Sequence, residues 1–316
     1  MFVDVFEQVL ILLVFCAAGF ALAKTKKADA SHTKLLSVLL IYVFGPCLAF
    51  NNFAKNFTVE YLSDRYVLVV VSAVLLVLSY PLATLLAKLF AKKPYEKSLY
   101  HYIMMIPNYG YIGYAMCQGI YGDEGLLDMM IFVLLMGVYT TSIAYSALTG
   151  GDGKISIKRI FSPSIYATIL GCVVGLSGLA LPTVVTDITT KAGACMAPVS
   201  MLLTGIAISE YRMKELLLRK KAYAVSALRL LGIPVLIYGV LKLASYGFTL
   251  LGLPEIAASV ASTIPYAVIT YCMPCGMNTI VFPKMVGEDC KIGASMVLIS
   301  TLAALVTVPL CVTLLK

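Results

Sequence analysis

Charge is what this sequence has least of. Of its 316 residues, 13% are charged and 60% are hydrophobic, with a mean hydropathy of +0.93. Soluble globular domains carry about 25% charged residues. So little charge cannot cover a water-facing surface, and the composition is that of an all-α polytopic membrane protein. Acidic residues are missing where a proton carrier would need them. Asp4, Glu7, Asp128, Asp187, Glu210 and Glu255 stand near the ends of apolar runs and none lies in the middle of one. This argues against an antiporter built on a buried carboxylate. Catalytic signatures are missing too. There is no H-E-x-x-H and no G-x-S-x-G, and Gly150-Gly-Asp-Gly-Lys154 has neither the spacing nor the preceding strand of a P-loop. The sequence therefore holds no catalytic constellation and no metal site. No soluble signalling domain is evident, which weighs against a membrane receptor. No basic segment precedes the first apolar run, Val5 to Ala23, so it reads as a span rather than a cleavable signal.

What charge there is sits in short loops. The net charge of +8 points to membrane topology and not to nucleic acid, because the positive residues are confined to those loops. Nine cysteines lie almost entirely inside apolar runs, where thiols act as small hydrophobes. Cys272-Met-Pro-Cys275 has redox spacing, but a redox pair needs an accessible thiolate in a soluble context.

Runs of about 20 apolar residues, enough to cross a bilayer, number ten: 5–23, 35–54, 66–90, 99–120, 126–149, 164–181, 191–209, 222–247, 255–284 and 291–315. Alternate loops hold eighteen basic residues, the opposite loops with Lys316 only four (Lys55, Arg65 and Lys191 being the others). Positive loops stay cytoplasmic, so both termini should be extracytoplasmic in a multi-pass protein of the cell membrane. An internal repeat follows, with residues 1–149 and 164–316 as two five-span halves and 150–163 as connector. Gly45-Pro46 in span 2 matches Ala197-Pro198 in span 7. Five spans per half is odd, so the halves must run in opposite orientation, the inverted-repeat plan of many secondary transporters.

Two spans are broken. Pro107, Asn108, Gly110 and Gly113 interrupt span 4, and Pro274, Gly276 and Asn278 interrupt span 9. Each break leads to a Gly-acid-acid exit, Gly122-Asp123-Glu124 and Gly287-Glu288-Asp289. Proline removes a donor and glycine weakens the helix. Freed backbone groups at membrane depth persist only where they are buried in protein or line a wet cavity. The positive ends of two half-helices meeting there would suit an anion. Asn108 and Asn278 can bind a carboxylate oxygen or simply cap the freed backbone. Tyr109, Tyr111 and Tyr114 follow the first break, at a depth where a phenol needs a partner, and Gln118 shares their face. Arg229 in span 8 is either a functional intramembrane charge or a side chain snorkelling to the basic loop two turns away. Lys242 reads as snorkelling. Gly171-x-x-x-Gly175 reads as a close helix-packing site.

These features together resemble the auxin efflux carrier family: ten spans, Pro/Asn breaks in spans 4 and 9, Arg229-Leu-Leu-Gly-Ile-Pro234 and a last span entered through Gly287-Glu-Asp. The absence of a long central hydrophilic loop is that of a compact prokaryotic member. The resemblance implies a scaffold of spans 1, 2, 6 and 7 that pairs into a homodimer, and a transport domain of spans 3–5 and 8–10. It places Pro107, Asn108, Pro274 and Asn278 near a substrate carboxylate; the reading of the breaks and of the intramembrane charge adds Tyr109, Gly110, Tyr114, Gly276 and Arg229 as candidate site residues. Cys275-Gly276 follows the second proline where Asn108 follows the first, so the half-sites are chemically unequal. The expected function is a permease for a small organic anion (auxin-like, malate or malonate), with no cofactor beyond a coupling ion, Na+ or H+. The alternative on the same plan is a sodium-coupled symporter of a bile-acid-like amphipathic anion.

Overall fold

The computed structural model describes residues 2–150, 162–286 and 288–314. Most of the connector lies outside these residues, with Lys154, Lys158 and Arg159, as does Gly287 of the second exit. The described chain is helical. In order it forms α1 (Phe2–Lys24), α2 (Ser31–Asn56), α3 (Val59–Phe90), α4 (Pro94–Met105), α5 (Tyr109–Phe132) and α6 (Leu134–Leu148). Then come α7 (Pro163–Ser177), α8 (Thr183–Ser209), α9 (Met213–Leu217), α10 (Lys220–Leu250), α11 (Pro254–Ser262), α12 (Ile264–Tyr271), α13 (Asn278–Met285) and α14 (Lys291–Leu314).

Among the described residues six helices are long and apolar enough to cross a membrane: most of α1 and α3, and α2, α8, α10 and α14. A seventh is formed if α5 and α6, bent by 51° to one another, act as one. The other runs expected as spans fall short for visible reasons. The run 99–120 is divided at Pro107, the run 255–284 is split into α11, α12 and α13, and α7 has only 15 residues. Inside α5, Gly122 leaves helical geometry (φ 70°, ψ −165°), at the boundary expected between spans 4 and 5. Wide π-turns interrupt α2 at Leu40–Phe44, α5 at Tyr109–Gly113, α6 at Thr140–Ala144 and α10 at Leu228–Gly232.

The helices that frame the molecule touch at glycine. A Cβ on Gly205 of α8 would stand 1.9 Å from the Cys16 carbonyl oxygen, and one on Gly19 of α1 would stand 2.1 Å from that of Leu202. Likewise Gly171 and Gly175 of α7 meet the backbone of α2 at Phe50 and Phe53 and of Phe57 just past its end. The small-xxx-small pattern therefore packs helices, as its spacing leads one to expect.

Ion pairs gather the loops at two ends. At one end Lys24 donates to the Ser209 carbonyl (3.1 Å), Lys221 donates to that of Phe90 (2.6 Å), Lys284 pairs with Glu210, and Lys291 with Glu215. At the other, Lys55 pairs with Asp123 (3.1 Å) and Arg65 with Asp128 (3.2 Å). Asp128 is buried there, also bonded to the Tyr61 hydroxyl, although its place in the sequence reads only as a span end. The Gln118 amide, and after it Lys55, hold the Asp123 carboxyl below the ordinary carboxylate range. A carboxyl lowered by folding contributes stability that is complete above its unfolded pKa, about 3.9, and is lost as pH falls through the folded value. Asp123→Asn should therefore cost under about 1 kcal/mol at neutral pH, the scale of an exposed pair. It should also flatten the acid limb below about pH 4. Unfolding temperatures of both forms between pH 3 and 7 measure this.

Candidate functional site

The two interruptions lie side by side. α4 ends at Ile106, in extended geometry, because Pro107 has no N–H to continue the helix. The chain then runs antiparallel to residues 273–277, with Pro107 facing Cys275, and the Asn108 N–H donates to the Pro274 carbonyl at 2.9 Å. Neither proline can donate, so this ladder cannot grow. The Cys275 N–H donates to the Ser300 hydroxyl of α14 at 3.0 Å, anchoring the second segment from behind. Gly276 packs closely: a Cβ there would stand 3.1 Å from the Tyr102 ring and hydroxyl, so a side chain would need Tyr102 to give by a few tenths of an ångström.

A cavity of about 460 Å³ opens against this junction. The two interruptions form one wall. The others come from the middle of α2, the start of α7, and the α5–α6 region. Both half-helix N-termini, at Asn108–Tyr111 and Gly276–Asn278, contribute to it. Six tyrosines line it, at 42, 102, 109, 111, 114 and 145, and no ionisable Lys, Arg, His, Asp or Glu is among its described lining residues.

The sequence-derived residues divide cleanly. Pro107, Asn108, Tyr109, Gly110, Tyr114, Gly276 and Asn278 line the cavity. Pro274 and Arg229 do not: Pro274 supplies the bridging carbonyl behind the wall, and Arg229 lies deeper. Snorkelling is ruled out for Arg229, which is 0% exposed and donates from Nη1 to the Met104 carbonyl at 3.0 Å. Lys242 is exposed and rests over the Tyr238 ring.

The two asparagines are unlike. Asn278 donates to the Tyr102 hydroxyl (3.1 Å) and accepts from that of Tyr111 (3.3 Å). Asn108 is 2% exposed, and both its Oδ1 and its Nδ2 lack a partner. Neither of the helices that start here is capped by a side chain. Cys272 and Cys275 are fully buried free thiols, packed as small hydrophobes. Sequence reasoning missed Tyr102, Tyr42 and the α7 contribution. Gly45-Pro46 and the tyrosine one and a half turns before Asn108 were the available signals.

Comparison with known proteins accords with this geometry. Residues 4–312 match the family described as membrane transport protein. The chain belongs to that family. Similar proteins include an uncharacterized transporter of Methanothermobacter thermautotrophicus, 26% identical over 310 residues, and one of Methanocaldococcus jannaschii, 25% identical over 313 residues. Each match covers 96% of both chains. Membership in the membrane transport protein family, which the auxin efflux carrier resemblance fits, makes this chain a multi-pass transporter embedded in a lipid bilayer and not an enzyme.

Proposed function

We propose that this family member is a secondary active transporter of a small organic anion, working by alternating access around the junction of its two interruptions. The observation that carries the reading is the Asn108 amide: buried, unpartnered at both ends, and in the wall of a cavity onto which two helix N-termini open. An unpaired buried amide is costly, and a carboxylate oxygen that reached Nδ2, which takes a small parting of the wall, would relieve it. Six tyrosines and no basic side chain favour a flat apolar body with one carboxylate. A short dicarboxylate such as malonate would bring a second charge with no counter-charge in the wall. The reading includes ten spans as two inverted halves in the cell membrane with both termini outside. In its support, α1 packs on α8 as α7 packs on α2, the exchange expected if spans 1 and 2 correspond to spans 6 and 7. Spans 1, 2, 6 and 7 would be the scaffold, and spans 3–5 and 8–10 the moving part.

Purified protein titrated with indole-3-acetate and with malonate, at pH 5 and pH 7 and with or without sodium, tests this. Indole-3-acetate should raise the unfolding temperature and be taken up by proteoliposomes, and malonate should do neither. A sodium requirement would redirect the reading to the symporter of an amphipathic anion. No response to any organic anion would overturn it.

A further inference from the structure

Arg229 bonds the end of one helix and faces a ring carried by the last residue of another. Its Nη1 bonds the carbonyl of Met104, in the last turn of α4, and its guanidinium lies 5.7 Å from the ring of Tyr271, the last residue of α12. The half-helices that follow, starting at Tyr109 and Asn278, open on the cavity. Nε and Nη2 of Arg229 have no partner, and no acidic side chain pairs with it, among the described residues. Asp128, the one buried carboxylate among them, is engaged by Arg65 and Tyr61. A guanidinium stays charged at any accessible pH, and burying one without a counter-charge is strongly unfavourable. A role in packing alone would be met better by an apolar residue of similar volume.

We propose that Arg229 sets the charge of the site without touching the ligand. A helix end carries about half an elementary charge, negative at the C-terminus and positive at the N-terminus. The guanidinium cancels the two C-terminal ends of α4 and α12. The two N-terminal ends facing the cavity are then unopposed, about one positive charge in sum, where no ionised side chain adds to it. Such a site selects a monoanion over its neutral isostere and over a dianion. Arg229 is thus a positioning residue, acting through the Met104 carbonyl and the Tyr271 ring. The inference rests on the reading of the cavity as an organic-anion site.

Phenylacetamide, phenylacetate and phenylmalonate share one ring and at neutral pH carry no, one and two negative charges. Each is titrated into the full-length protein and its affinity taken from the shift in unfolding temperature. Wild type should bind phenylacetate tightest. In Arg229→Gln the preference for acid over amide should fall about tenfold, the scale of one charge at about 10 Å in an effective dielectric of about 20. Arg229→Lys, which keeps the charge, should retain most of the preference. An unchanged ratio in Arg229→Gln, or phenylmalonate as the best wild-type ligand, overturns the inference and leaves the anion site standing. Should Arg229→Gln not fold, Arg229→Lys decides: a retained preference supports the inference and a lost one overturns it. Wild type that binds none of the three overturns the site itself, and this inference with it.

Discussion

Asn108→Leu is expected to weaken binding of an organic monoanion by about ten- to one-hundred-fold while leaving the protein as stable as before, or more so. The two effects have opposite sign because the amide has no partner within the molecule. A hydrogen bond to a charged group contributes about 1.5–3 kcal/mol, and each 1.4 kcal/mol is a factor of about ten in affinity. Replacing an unsatisfied buried amide by leucine, similar in shape, removes a burial penalty of about 1–3 kcal/mol. If Asn108 served only the fold, its loss would lower the unfolding temperature and leave affinity alone. Asn278→Leu is the contrast. It strips the Tyr102 and Tyr111 hydroxyls of their common partner, so it should destabilise by about 1–3 kcal/mol. Ligand titration and thermal unfolding of the two variants together separate the roles.

Gly205→Leu is expected to abolish folded protein. At the α1–α8 contact backbones meet with no side chain between them: a Cβ would stand 1.9 Å from the Cys16 carbonyl oxygen and 2.5 Å from the Phe20 nitrogen. Backbone atoms on two packed helices cannot swing aside as a flexible side chain does. Overpacking that displaces them costs about 3 kcal/mol or more, a large fraction of a marginal total. Gly239→Leu is the control, since nothing lies within 4 Å of a Cβ there and the site is exposed. Size-exclusion profiles in detergent should show a monodisperse peak for Gly239→Leu and none for Gly205→Leu. A folded, wild-type-like Gly205→Leu would mean that the helices stand further apart than described.

The residues of the interruptions were legible from the sequence because helix breakers act locally when they cluster. Proline by itself does not mark a break, since Pro81, Pro283 and Pro309 lie inside helices; proline close to glycine and asparagine, at 107–113 and at 274–278, marked the two interruptions. The basic loops were legible too, and Lys24, Lys221, Lys284 and Lys291 do come together at one end. Length was the weaker guide, since a span divided at Pro107 or shortened to the 15 residues of α7 fails a rule based on continuous helix. The fates of Asn108 and Asn278 could not be told apart, because Tyr102 and Tyr111 reach only one of them and that depends on how distant segments meet. Arg229 was undecided for a related reason. It stands inside the π-turn Leu228–Gly232, and apolar periodicity does not announce a π-turn. Asp128 looked peripheral until Arg65 and Tyr61 closed over it.

The rung from Asn108 to Pro274 is made of main-chain atoms alone. Exchanging Tyr42, Tyr109 or Tyr114 would reshape the cavity without unfastening that rung, whereas Tyr102 and Tyr111 also brace the joint through Asn278. The shape of the cavity at those three positions and the alignment of the two interruptions are thereby held by separate parts of the molecule, so a redesign of the first need not disturb the second.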